Sequence, residues 1–272
     1  MKIIRQKKDL INLINKINSL SFVPTMGGLH KGHELLIKKA KKKNKITLVS
    51  IFINPKQFNS KVDYKSYPRN FNNDIKILKK LKVKYLFVPK IKDIFSFKTK
   101  NKIYLHPFSK KLCGKHRPGH FKGVVNVVNR FLELIKPNYI FLGKKDFQQL
   151  FLIKKHILKN KIKTSVISCN TVREKNLLPY SSRNYNLNKT SKTLALKVLK
   201  YLRNEKILIK KNRIKKINLS HMKKKIFNFG IKKIDYLEAI NLNNLRKAKK
   251  FNENFNIFLA FYVGNVRLID NF

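Results

Sequence analysis

The chain has 272 residues, 43% of them apolar and 11% aromatic, with 64 lysines and arginines against 13 acidic residues and a formal charge of +51. That apolar share can build the core of one or two domains and excludes a purely disordered polyelectrolyte, and no apolar run reaches the roughly 18 residues of a membrane-spanning helix. Cys113 and Cys169 stand far apart in a chain long enough to fold without cross-links, which points to a reducing cytosol.

The first 18 residues alternate charge with Ile and Leu and lack a signal-peptide core. Apolar runs of strand length then alternate with segments of helical period. Strands are expected at 21–24, 46–53, 85–88, 139–142 and 164–169, and helices at 31–43, 72–81, 122–135 and 147–158. The near-continuous run at 46–53 (ITLVSIFI) is that of a strand covered on both faces. Alternating strands and helices predict an α/β fold, a Rossmann-like, doubly wound parallel sheet with its ligand beyond the carboxyl ends of the strands. All eight prolines and seven of the nine glycines precede Tyr180. That shift in composition predicts two domains, 1–175 and a smaller α+β domain at 176–272. The lysines are scattered beside Ile, Asn and Phe throughout, a pattern an A/T-rich genome writes whatever the function. The charge therefore marks no specific nucleic-acid surface, though it favours unspecific adhesion to polyanions.

Four loops carry candidate chemistry. The first runs Pro24-Thr25-Met26-Gly27-Gly28-Leu29-His30-Lys31-Gly32-His33, leaving a strand and opening a helix. Its glycines allow close backbone approach, and a helix N-terminus suits phosphate. His30 and His33, three apart, would share a face of the first turn; the plainer alternatives are two turn histidines or a pair of metal ligands. After the second strand comes Asn54-Pro55-Lys56-Gln57-Phe58, in which Gln57 presents donor and acceptor at the ligand edge, or is simply part of a surface turn. The third, Gly143-Lys144-Lys145-Asp146-Phe147-Gln148-Gln149, combines a cation at a helix start with an acid that suits the N-cap. The fourth, Tyr180-Ser181-Ser182-Arg183-Asn184, offers hydroxyls and a guanidinium to phosphate oxygens, though such turns are common on any surface.

PTMGGLHKGH, VSIFINPKQF, YPRNFNND, RPGHFKGVVNVVNRF, GKKDFQQ and YSSRN stand in an order and spacing that resemble the pantothenate synthetase (pantoate–β-alanine ligase) family, strongly over residues 20–190 and weakly over 235–270. The resemblance implies a nucleotidyltransferase-type Rossmann-like catalytic domain binding ATP and pantoate, a small C-terminal lid, and a cytoplasmic homodimer. The implied reaction condenses pantoate with β-alanine at the expense of ATP through a pantoyl-adenylate, giving pantothenate, AMP and pyrophosphate. It also implies an ATP-binding set of Met26, Gly27, Gly28, Leu29, His30, Lys31, Gly32, His33, Gly143, Lys144, Lys145, Asp146, Val172, Tyr180, Ser181, Ser182 and Arg183. His33 is the implied proton donor, with His30, Lys145 and Arg183 as further catalytic groups. Gln57 and Gln149 would hold pantoate, Gln57 also meeting β-alanine. Mg²⁺ would ride mainly on ATP oxygens, with Asp74 as acidic contact. No specific nucleic acid and no membrane are implied as partners.

The chain departs from the family pattern at Cys113, often Glu; at Asn73, elsewhere a second acid; at Lys144 for Glu; at Asn176-Leu177 for an Asp-Gly turn; and at Pro179-Tyr180 for Ala-Met. These bear on rate and metal affinity rather than reaction class. A related nucleotidyltransferase would share the HxGH loop without the Gln57–Gln149 pair. An RNA-binding module would cluster its basic and aromatic residues in one stretch, which the diffuse lysines do not.

Overall fold

The computed structural model describes residues 1–175, 177–211, 217–248 and 250–272; Asn176 lies outside them. The chain forms two compact units, Met1–Val172 and Arg173–Phe272. No helix among the described residues is long and apolar enough to cross a membrane.

In chain order the first unit runs β1 (Lys2–Ile4), α1 (Lys7–Ile14), β2 (Ser21–Thr25), α2 (Lys31–Lys43), β3 (Thr47–Ile51), α3 (Lys61–Lys65), α4 (Phe71–Lys80), β4 (Tyr85–Phe87), α5 (Ile91–Phe95), α6 (Cys113–His116), α7 (His120–Ile135), β5 (Tyr139–Gly143), α8 (Phe147–Lys159) and β6 (Ser165–Cys169). The six strands form one parallel sheet in the order β1-β4-β3-β2-β5-β6. Successive residues of each strand serve opposite faces. Phe22, Leu48, Phe87 and Ile140 join the core under α1, α7 and α8, while their neighbours Val23, Val49, Leu86 and Phe141 join the core under α2 and α4. This is the expected doubly wound sheet. The strand order reverses at β2, since β3 and β4 are laid down on one side and β5 and β6 on the other. Such a switch point opens a crevice at the carboxyl ends of β2 and β5.

Expected and observed elements agree closely through this sheet, helix α2 matching at both ends. The amino-terminal β1 and α1 have no counterpart among the expected elements. Three and eight residues give too few periods to read, and both are held by distant partners: β1 by β4, and α1 through fully buried Leu10.

The second unit holds α9 (Lys189–Lys210), α10 (Leu219–Asn228), β7 (Lys233–Asn241), β8 (Phe255–Val263) and β9 (Val266–Asn271), the strands forming an antiparallel sheet in that order. Val198, Leu202, Ile226, Leu259 and Phe261 build its core. Arg173 grips Asp270 bidentately at 2.6 and 2.9 Å, and Arg267 meets Asp235 at 2.7 Å. Leu177 takes φ 80°, the left-handed conformation that a glycine adopts at less cost.

Phe131 of α7 packs against Phe22, Phe52 and Phe87 at ring separations of 5.4, 6.1 and 6.3 Å and is almost wholly buried. Phe131→Ala is expected to lower unfolding free energy by about 3–5 kcal/mol in urea titration. A loss below about 1 kcal/mol would contradict this packing.

Candidate active site

The loop after β2 is built from within. Thr25 donates its hydroxyl to the Ser50 carbonyl at 2.7 Å and accepts the Gly27 N–H at 3.2 Å. Asp74, near the start of α4 and almost fully buried, accepts the N–H of Gly28 at 3.0 Å and of Leu29 at 2.7 Å, one on each carboxylate oxygen. Gly27 and Gly28 have φ of 80° and 60°, and a Cβ on Gly27 would sit 3.0 Å from Asp74 Oδ2. The turn therefore needs glycine both for its dihedrals and for the carboxylate beside it.

Helix α2 starts where this turn ends. His30 is its N-cap, and its Nδ1 accepts the Gly32 N–H at 3.1 Å; His33, three residues on, accepts the His30 N–H on Nδ1 at 3.4 Å. This is a capping box made from two imidazoles. The rings lie 4.0 Å apart and 33° from parallel. Because each Nδ1 is an acceptor, the proton of each neutral ring stands on Nε2. Burial, then the neighbouring His33 and Lys145, lowers the pKa of His30 to about 2; burial lowers that of His33 to about 4, opposed by Asp146 and aided by Lys145. Both are neutral donors near pH 7. His33, expected as a proton donor, has its Nε2–H available to donate.

Lys145 and Asp146 stand in the turn after β5, across the switch point, with Lys145 Nζ 3.5 Å from Asp146 Oδ1. Asp146 takes the N-cap position of α8 as expected but makes no capping hydrogen bond. Its carboxylate turns to Lys145 instead, and both charges bear on His33. A Cβ on Gly143 would meet nothing within 4 Å.

Gln57 ends a single 3-10 turn after β3. Its Oε1 accepts from Asn54 Nδ2 at 3.3 Å, and its Nε2 lies 2.8 Å from Met26 Sδ in the first loop. The first loop thus meets both the second and the third. Gln149 is half-buried on the first turn of α8, while its neighbour Gln148 is spent on structure, donating to the carbonyls of Phe108 and Lys111 at 2.7 Å each. Val172 ends the first unit. Tyr180, Ser181, Ser182 and Arg183 belong to the second unit, where Ser181 caps the turn Ser182–Asn186 by accepting the Arg183 N–H at 3.3 Å. Cys113 is a buried thiol opening α6.

Asp74, the expected acidic contact for Mg²⁺ carried on ATP, is engaged with the first loop. Both its oxygens hold backbone amides, its neighbours Asn72 and Asn73 carry no charge, and among the described residues no three His, Cys, Asp or Glu side chains gather as a metal set. Burial raises its pKa against the opposing Leu29 and Gly28 hydrogen bonds. Sequence reasoning gave no role to Asn54, Arg117 and His120, which hydrogen-bond to Gln57; the compact run RPGHF was the available signal for the last two.

A family model described as pantoate-beta-alanine ligase matches residues 2–272. A pantothenate synthetase of Francisella tularensis subsp. novicida is 42% identical over 272 residues, 99% of this chain and 95% of that protein. The crystal structure of a Francisella tularensis pantoate-beta-alanine ligase complexed with beta-gamma ATP and beta-alanine superposes with a TM-score of 0.85 at 41% identity, covering 100% of this chain and 97% of the other. A pantothenate synthetase of Thermus thermophilus gives 0.89 at 28% identity, covering 100% and 99%.

Histidines that charge less readily folded than unfolded take up protons on unfolding. The stability they support is complete above about pH 6.5 and drains as pH falls towards 4. Imidazole ¹H–¹⁵N spectra at about pH 5.5 should show His30, His33 and the core residue His156 neutral, the first two protonated on Nε2. Doubly protonated rings at that pH would contradict the site geometry.

Proposed function

The chain belongs to the pantoate–beta-alanine ligase family, and on that premise we propose that it joins pantoate to β-alanine with ATP, through a pantoyl-adenylate, yielding pantothenate, AMP and pyrophosphate. The observation that carries this reading is the pair of neutral imidazoles capping α2 beside Lys145 at the reversal of the sheet. A carboxylate attacking the α-phosphorus needs in-line positioning and stabilised charge on the departing pyrophosphate, not a protein nucleophile.

In the first step a pantoate carboxylate oxygen bonds to the α-phosphorus as its bond to the bridging oxygen breaks, and pyrophosphate leaves with the electron pair. His30 and His33 donate through Nε2 to the phosphate oxygens, Lys145 contributes a point charge, and the first turn of α2 contributes its dipole. Arg183 with Ser181 and Ser182, the turn at 143–146, and Val172 beside the adenine complete the nucleotide contacts. Gln57 and Gln149 hold pantoate by its hydroxyl and carboxylate. In the second step the β-alanine amine attacks the acyl carbon, AMP departs, and the amine loses a proton. Water must be kept from the mixed anhydride throughout, the task proposed for the second unit as a lid. ATP brings Mg²⁺ on its own oxygens, and no step is assigned to a protein-held metal. The reading includes a cytoplasmic homodimer.

Incubation with ATP, Mg²⁺, pantoate and β-alanine should produce AMP and pantothenate in equal amounts by mass spectrometry; ADP and phosphate, or no product, would overturn the reading. Gln57→Ala should raise the KM for pantoate by about ten-fold while that for ATP moves less than about two-fold, the loss of one or two hydrogen bonds to one substrate. Equal effects on both would remove Gln57 from the pantoate site.

A further inference from the structure

The run His116-Arg117-Pro118-Gly119-His120-Phe121, so distinctive in the sequence, takes no part in the chemistry above. Two of its polar side chains, Arg117 and His120, converge on one atom. His120 Nδ1 lies 2.6 Å from the backbone carbonyl oxygen of Gln57, and Arg117 Nη2 donates to the same oxygen at 3.2 Å. Arg117 Nη1 lies 3.3 Å from His120 Nε2, which closes a three-membered ring of contacts. A carbonyl oxygen can only accept and a guanidinium can only donate, so His120 must carry its proton on Nδ1 and accept on Nε2. The ring therefore fixes a single neutral tautomer.

The surroundings press the same two segments together. Gly119, at φ 78°, turns the chain so that Arg117 and His120 meet one carbonyl from either side of it. Asn59 Nδ2 donates to the Pro118 carbonyl, and Arg117 Nη2 stands 3.6 Å from Asp63. Asn54, which holds the Gln57 carboxamide, also donates to the Gly123 carbonyl at 3.1 Å. A Cβ on Gly123 would fall 2.2 Å from the Lys56 carbonyl oxygen, so α7 can lie this close to the turn only with glycine there. The Gln57 turn is three residues of 3-10 helix with little hold of its own. Fixing its last carbonyl fixes the peptide plane next to the Gln57 Cα, and hence the direction in which the side chain leaves.

We propose that Arg117 and His120 are positioning residues for pantoate: by clamping the Gln57 carbonyl they aim the Gln57 carboxamide, and so set the affinity for the hydroxy acid without touching it. This rests on Gln57 being a pantoate ligand, and the test separates the two claims.

His120→Leu, His120→Asn and Gln57→Ala are compared, with the double variant His120→Leu/Gln57→Ala, by steady-state KM for pantoate and for ATP. His120→Leu should raise the pantoate KM about ten-fold and the ATP KM less than about two-fold. His120→Asn places an amide N–H where Nδ1–H was and should restore most of that loss. In the Gln57→Ala background, His120→Leu should add almost nothing, because there is no carboxamide left to aim. Unchanged pantoate KM in His120→Leu, equal loss for both substrates, no rescue by Asn, or additive losses would each overturn the proposal. If Gln57→Ala itself leaves the pantoate KM unchanged, the assignment of Gln57 falls and the clamp's role falls with it. Should His120→Leu fail to fold, Arg117→Lys, which keeps the charge and loses the forked donors, carries the same comparison.

Discussion

One buried carboxylate shapes the centre of this molecule. Asp74 accepts two successive backbone amides, those of Gly28 and Leu29, in a pocket where it is 2% exposed. An ion so placed is tolerable only when its oxygens are satisfied, and the loop amides are the donors that satisfy them. The pull of those amides towards Asp74 demands positive φ at Gly27 and Gly28. It also delivers His30 to the first turn of α2 as its cap. The imidazole pair, its tautomers and its neutrality follow from that placement.

The second constraint is topological. A parallel sheet whose order reverses at β2 leaves a crevice that neither flanking helix can cover. The loops leaving β2 and β5 border that crevice, so the charges of Lys145 and Asp146 reach His33 although more than a hundred residues separate them in the chain. The Gln57 loop, leaving the adjacent strand β3, reaches the same loop through Met26. A cation, two neutral donors and a carboxamide thus stand on loops that leave three neighbouring strands. The proposed displacement at phosphorus calls for groups of this kind, fixed dipoles and charge where charge develops.

The alternation of apolar strands with amphipathic helices made the sheet legible, because each strand buries both faces and each helix buries one. His30 and His33 were legible as a pair because their spacing is the spacing of a helical turn. Asp74 came forward only through the family resemblance, as an acidic contact; its hold on the loop was not legible, because periodicity says nothing of which oxygens meet which amides 45 residues away. Arg117 and His120 were visible as an unusual motif without a use, because their partner is a backbone carbonyl and no sequence pattern marks a carbonyl. Strand β1 and helix α1 escaped notice because their stability comes from tertiary contacts rather than local period.

Asp74→Asn offers the most direct examination of the central claim, since it removes one acceptor and sets an N–H against a backbone N–H with almost no change of shape. Measured by pantoate-dependent exchange of pyrophosphate into ATP, the variant should show a KM for ATP raised by about ten-fold or more, unchanged by excess Mg²⁺ or Mn²⁺. An unaltered KM would contradict the claim that Asp74 shapes the ATP loop, and full recovery at high metal concentration would mean that it acts through a cation instead.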